Sequence, residues 1–158
     1  MEESREVKWK IVESKDELAI AWKIRKEVFI REQRVPAEVE RDQFDAESEH
    51  VLVFDRGRPV GTGRVRMVDG HAKLERVSVL AAYRGLGLGR AVVYALEHIA
   101  REKGIRTARL HAQQQTIKFY VKLGYQVASE TFLEGGIPHQ LMIKELKGTD
   151  SATLQYSS

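Results

Sequence analysis

The sequence predicts an α/β fold in one domain: a mixed, largely antiparallel central sheet of about seven strands, flanked by helices. Three observations carry this expectation. Asp69-Gly70 joins the apolar stretches 59–68 and 73–80, which is hairpin chemistry and makes them antiparallel neighbours. Residues 74–80 then run through the turn Tyr83-Arg84-Gly85-Leu86-Gly87-Leu88-Gly89-Arg90 into a helical period. Finally, 158 residues suit a single core, expected over 1–147, with the polar run 148–158 as a frayed tail.

The elements follow in order. Trp9 and Ile11 mark a short first strand. Ser14 or Asp16 caps a helix whose apolar positions are Leu18, Ala21, Trp22, Val28 and Phe29, bordered by Arg25 and Glu32 and ending near Val35-Pro36. The acidic segment 38–49 reads as a solvated loop, or as a patch whose Glu38 and Asp42 draw in a cationic ligand. Strands follow at 48–54 and 59–68, where Gly61 and Gly63 signal a bulge or a close backbone approach. Leu88, Val92, Ala95, Leu96 and Ile99 form one helical face closed by Lys103-Gly104. A strand at 107–113, a helix at 116–123 and closing strands at 125–132 and 139–146 complete the chain.

Composition narrows the function. There is no cysteine, hence no disulfide framework, thiolate cluster or cysteine acyl-enzyme. The net charge of +3 from 26 basic and 23 acidic residues is a small surplus without a basic aromatic stripe, so no nucleic-acid partner is expected. No apolar run spans a bilayer and the opening residues lack secretory order, so no membrane partner and a cytoplasmic location are expected. No histidine and carboxylate spacing suggests a metal.

A strand, a glycine-rich turn and a helix start together form an anion site, because the first N–H groups of a helix have no intrahelical partners. A nucleotide P-loop needs Lys followed by Ser or Thr, and Arg90-Ala91 stand there instead. The dinucleotide fingerprint puts Arg90 or Val92 at its third glycine, so both registers fail.

Arg84-Gly85-Leu86-Gly87-Leu88-Gly89, followed one helix and one strand later by Phe119-Tyr120-Val121-Lys122-Leu123-Gly124-Tyr125, resembles the GCN5-related N-acetyltransferase (GNAT) superfamily over about residues 9–146. Residues 25–33 and Gly136-Ile137-Pro138-His139 resemble its YjcF/ElaA-like bacterial subgroup. The resemblance implies a sheet splayed at its central strands and acetyl-coenzyme A (acetyl-CoA) as co-substrate, with no metal. It implies that the pantetheine arm pairs with the main chain of Val77 and Val79, beside Ser78. The diphosphate would then lie on N–H groups around Arg84, Gly85, Leu86, Gly87, Leu88, Gly89 and Arg90. Such charge-assisted bonds are worth about 1.5–3 kcal/mol each, against about 0.3–1 kcal/mol for the helix dipole, so the explicit donors dominate. Gln113 stands where many relatives carry a cofactor-contacting Asn, and Phe119 adjoins the same site.

Acetyl transfer by direct attack needs a neutral nucleophile, an oxyanion donor and a proton for the leaving thiolate. At pH 7 on the order of one alkyl amine in a thousand is neutral, so a base helps. Glu75 is the leading base, sharing a strand face with Val77 and Val79 at spacing two; its other reading is a structural ion pair. His71 and His111 are alternatives. By resemblance Tyr120 is the acid, or else a packing aromatic, and the Val79 N–H is the oxyanion donor. His139 faces the acceptor or is a satisfied structural histidine. The acceptor expected is a small primary amine or amino sugar; a non-catalytic acetyl-CoA-binding domain and a protein lysine acetyltransferase are the other readings. A strand edge after Pro138 would permit a homodimer.

Overall fold

The computed structural model describes residues 6–147; the expected tail at 148–158 lies outside them. The elements are β1 (Val7–Ile11), α1 (Lys15–Arg25), a π-helical segment (Lys26–Glu32), α2 (Ala37–Glu40), β2 (Glu49–Asp55), β3 (Arg58–Val68) and β4 (His71–Val79). Then come α3 (Leu88–Glu102), β5 (Thr107–Gln113), α4 (Ile117–Lys122), β6 (Gln126–Val127), β7 (Phe132–Glu134) and β8 (Ile137–Glu145). One sheet runs β1-β2-β3-β4-β5-β8-β6, with β7 also on β8. Every pair is antiparallel except β4 with β5, which need a long crossover, supplied by α3.

α3 covers one face of the sheet, burying Val92, Leu96 and Ile99 against Val51, Val53, Val65 and Leu74. It sits close because β3 presents glycine: a Cβ on Gly63 would lie 2.7 Å from Val92 Cγ1. Both readings of this glycine pair hold, since the β3–β4 register also shifts between Thr62 and Arg64. The extra residue falls on β4, where Arg76 takes φ 58°, a left-handed conformation that costs a non-glycine residue about 1–2 kcal/mol.

α1 covers the opposite face, with Ala21 and Ile24 against Leu52. Ser14 is its cap, accepting the Glu17 N–H at 3.1 Å. The expected single helix to Val35 does not form: after Arg25 the turns widen, and the Gln33 N–H reaches back to Val28 O at 3.2 Å. A 3.6-residue period cannot register this change. The closing strand expected at 125–132 is two short pieces, β6 and β7. Between them they cover the outer side of β8: Phe132 pairs with His139, and Val127 with Met142. The edge after Pro138 is therefore not open, because β5 occupies its other side.

The acidic segment is neither a solvated loop nor a bare patch. Arg25, 1% exposed, bonds Glu40 Oε2 at 2.8 Å and Asp45 Oδ1 at 2.7 Å. Arg64, also 1% exposed, bonds Asp42 at 2.8 and 3.0 Å and Asp45 at 2.8 Å. Arg76 joins Glu40 and Asp42, each at 3.2 Å. These pairs fold the segment onto the sheet and form one wall of the cavity described next.

Candidate active site

β4 and β5 pair only at Ala72–Ala108, Lys73–Arg109 and Leu74–Leu110. Beyond Leu74 they part, and a notch opens between Glu75 to Val79 on one strand and His111 to Gln113 on the other. On the face opposite α3 the notch continues into a cavity of ≈ 650 Å³, with Phe29, Gln33, Glu75, His111, Tyr120 and His139 in its walls.

Along β4, the Leu80 N–H donates to Val60 O at 2.9 Å, so Leu80 and Ser78 direct their main chains at β3. Val79, of opposite alternation, presents its N–H to the notch. Its carbonyl, on that same side, accepts from Arg84 Nε at 3.0 Å. Ser78 is buried and its Oγ donates to Arg76 O at 3.2 Å, leaving it little to offer the notch. The Val77 side chain lines the cavity.

At the far end of β4 the glycine turn delivers α3. Gly87 is its N-cap at φ 80°, with no side chain capping it, and the first backbone bond is Ala91 N–H to Gly87 O at 3.2 Å. The N–H groups of Leu88 and Gly89, in the first turn, therefore have no partner within the helix. Gly85 and Gly87 are needed for their positive φ, whereas at Gly89 a Cβ would lie 3.2 Å from Phe119 Cζ. Phe119 thus packs on the turn. Arg84 does not reach into this ring of donors: Glu32 takes its guanidinium in two 2.8 Å bonds, tying the turn to the π-helical segment.

Tyr120 sits on α4 between Phe119 and Tyr125, with ring centroids 4.9 and 5.7 Å away. Burial raises its phenol well above the ordinary range, so it stays protonated at neutral pH. Tyr125 is fixed separately, its hydroxyl donating to Glu97 at 2.7 Å.

Glu75 corrects one step of the sequence reading. The bulge at Arg76 resets the alternation, so Glu75 pairs with Arg64 while Val79 pairs with Gly61 on the α3 side; the two do not share a face. Burial alone would raise the Glu75 carboxyl. The Arg66 bond at 2.9 Å, with the charges of Arg64 and Lys73, outweighs it and holds the group below the usual carboxylate range. A carboxylate so held is a weak base, and its geometry is that of an ion pair. Asp42 is similarly committed to Arg64 and Arg76. The Glu38 side chain lies outside the described residues. Five cations (Arg25, Arg64, Arg66, Lys73, Arg76) meet four carboxylates (Glu40, Asp42, Asp45, Glu75) in this wall, so it offers no net negative field to a cationic acceptor.

The opposite wall groups residues that sequence order keeps apart. His111 Nδ1 lies 2.8 Å from Glu134 Oε1, and His139, 7% exposed, places Nδ1 2.7 Å from Ile137 O. The Phe132 ring is edge-on to His111 and stacked with His139, at 5.0 and 6.2 Å. Gln113 donates to Gln33 at 3.0 Å, closing the π-helical segment over the notch. His71, by contrast, is outside the cavity walls, and His98 packs on Trp9. Glu134, Gln33 and Arg64 were missed as site residues. For Glu134 the signal existed: Gly135-Gly136 is hairpin chemistry that sets it beside Ile137-Pro138-His139. Among the described residues no group is placed to hold a metal ion, and no helix is long and apolar enough to cross a membrane.

The sequence model of the Acetyltransferase (GNAT) family matches residues 17–125. The uncharacterized N-acetyltransferase YjcF of Bacillus subtilis (strain 168) is 47% identical over 136 residues, covering 85% of this chain and 97% of its own. Among solved structures, an acyl-CoA N-acyltransferase from Pseudomonas aeruginosa superposes with a TM-score of 0.78 at 26% identity, over 88% of this chain and 99% of that one. Escherichia coli ElaA gives 0.77 at 25% identity, over 89% and 100%. With the splayed strands, these matches define the class: the protein is an acyltransferase. The chain belongs to the GNAT acetyltransferase family, and its likeness to YjcF and ElaA agrees with the subgroup read from residues 25–33 and 136–139.

Proposed function

We propose that the protein transfers the acetyl group of acetyl-CoA to the primary amine of a small molecule, amino sugars included, by direct attack in a ternary complex. The observation that carries this reading is the parting of β4 and β5 after Leu74. It leaves the β5-facing edge of β4 free between the uncapped start of α3 and a cavity of ≈ 650 Å³. The diphosphate rests on the N–H groups of Gly85 to Arg90, and the amide-bearing arm lies along the free edge of β4, as an added strand would. Phe119 and Gln113 flank it. The thioester carbonyl then meets the Val79 N–H, which stabilises the oxyanion, and Tyr120 supplies the proton to the thiolate.

The acceptor enters from the cavity. The Gln113–Gln33 bond narrows the approach, which suits a small molecule better than a peptide, and the charge-matched acidic segment removes the electrostatic reason for a lysine-bearing partner. The test is a panel of alkyl amines, amino acids and amino sugars incubated with acetyl-CoA, reading thiol release and product mass together. Acetylated product with matching thiol is expected from a subset of the panel. Tight acetyl-CoA binding with no amine-dependent thiol release would instead make the protein a binding domain.

A further inference from the structure

We propose that His111 is the proton acceptor for the incoming amine and that Glu134 is the residue that positions it. This rests on the acetyltransferase reading and completes it, since Glu75 is held as a weak base.

Geometry makes the assignment. In register, Lys73 on β4 lies beside Arg109 on β5, so the next residues on the same face are Glu75 and His111. The strands separate there, and the two side chains flank the mouth of the notch from opposite sides, both in the cavity wall with Tyr120. Glu75 is matched by Arg64, Arg66 and Lys73. Among the described residues, His111 has one carboxylate partner, 2.8 Å away at Nδ1.

That contact fixes the tautomer. An ionised carboxylate only accepts hydrogen bonds, and the Glu134 carboxyl is held below its usual range first by this bond and, against the opposing effect of burial, by the nearby histidines. The neutral imidazole therefore carries its proton on Nδ1 and leaves Nε2 as a bare lone pair. His139 is differently engaged: its Nδ1 donates to the Ile137 carbonyl, and its Nε2 stands 3.8 Å from Glu134 Oε2. Its role is to pack behind Phe132 and Glu134.

The proton balance closes. His111 Nε2 takes one proton from the acceptor ammonium and passes it to water. The neutral amine attacks the thioester carbon, and the C–N bond forms. As the C–S bond breaks, the nitrogen loses its second proton to His111, while the Tyr120 phenol protonates the sulfur and its phenolate is then reprotonated from His111 through water. Each turnover releases one proton, one amide and one thiol.

The test compares His111→Gln and Glu134→Gln with the wild type on an alkyl amine that the panel above finds to be a substrate, and on its arylamine analogue, already neutral at assay pH. With the alkyl amine, kcat of His111→Gln is expected to fall about 10²–10⁴-fold, the range for a lost general base. With the arylamine, which needs no first deprotonation, the fall is at least about tenfold smaller than with the alkyl amine, and acetyl-CoA affinity is unchanged for both variants. Added imidazole partly rescues His111→Gln. In ¹⁵N spectra the wild-type His111 shows the Nδ1–H tautomer, and Glu134→Gln loses that preference. Equal loss on both amines, or none, overturns the role of His111 while leaving the acetyltransferase intact. A wild type that acetylates no amine overturns both.

Discussion

Arg64→Met is expected to lower the free energy of unfolding by about 3–5 kcal/mol, a large share of the roughly 5–15 kcal/mol that holds a domain together. The size follows from what is left behind. Arg64 is 1% exposed and serves Asp42, Asp45 and Glu75 at once, so its loss takes hydrogen-bond donors from three carboxylates together and leaves buried Asp45 with Arg25 as its cation. Arg31→Ala is the control, because the Arg31–Glu27 pair is exposed and such pairs contribute about 0–1 kcal/mol. Denaturant unfolding at pH 7 measures both, and a loss under about 1 kcal/mol for Arg64→Met would mean that the cluster relaxes to water. The wild type should show the same dependence against acid. Burial opposes ionisation of Asp45, but Arg25 and Arg64 lower its pKa from 3.8 to about 2. Its folded value lies below the unfolded one, so its stabilisation is present above pH 3.8 and is lost as pH falls toward about 2.

Tyr120→Phe is expected to reduce amine-dependent thiol release by about 10²-fold at saturating substrates while leaving acetyl-CoA affinity and folding intact. Phenylalanine preserves the ring that packs between Phe119 and Tyr125 and removes only the hydroxyl. Burial keeps that hydroxyl protonated, as the proposed proton donor must be, and no other residue of the cavity wall offers a neutral O–H on α4. Rapid-quench measurement of the chemical step, beside a calorimetric titration of acetyl-CoA, separates chemistry from binding. An unchanged rate would remove Tyr120 from the acid role.

How much of this was legible in the sequence depends on whether the information was local. The hairpin at Asp69-Gly70, the α3 stripe and the glycine turn are short-range patterns, and each stands where the sequence put it. What escaped is long-range or non-repeating. Arg25 read as a polar border of a helical stripe, yet it is buried because Glu40 and Asp45, 15 and 20 residues away, fold over it. The acidic segment gave no sign that its partners lie on β3 and β4. One extra residue at Arg76 undid the spacing-two argument for Glu75, since a bulge reverses the face of everything before it. The pairing of His111 with Glu134 spans 23 residues and depends on the register of β5, β8 and β7 together.

The central claim is that the parted strands and the uncapped turn are where acetyl-CoA binds. Titrating acetyl-CoA into ¹⁵N-labelled protein tests it residue by residue through the backbone amides. The largest shifts are expected at Val79, Gly85, Gly87, Leu88, Gly89 and Arg90, with His111 and Tyr120 at the edge of the affected set and the Trp9–His98 contact unmoved. Perturbations centred away from β4 and the start of α3, or no perturbation at saturating acetyl-CoA, would contradict the account.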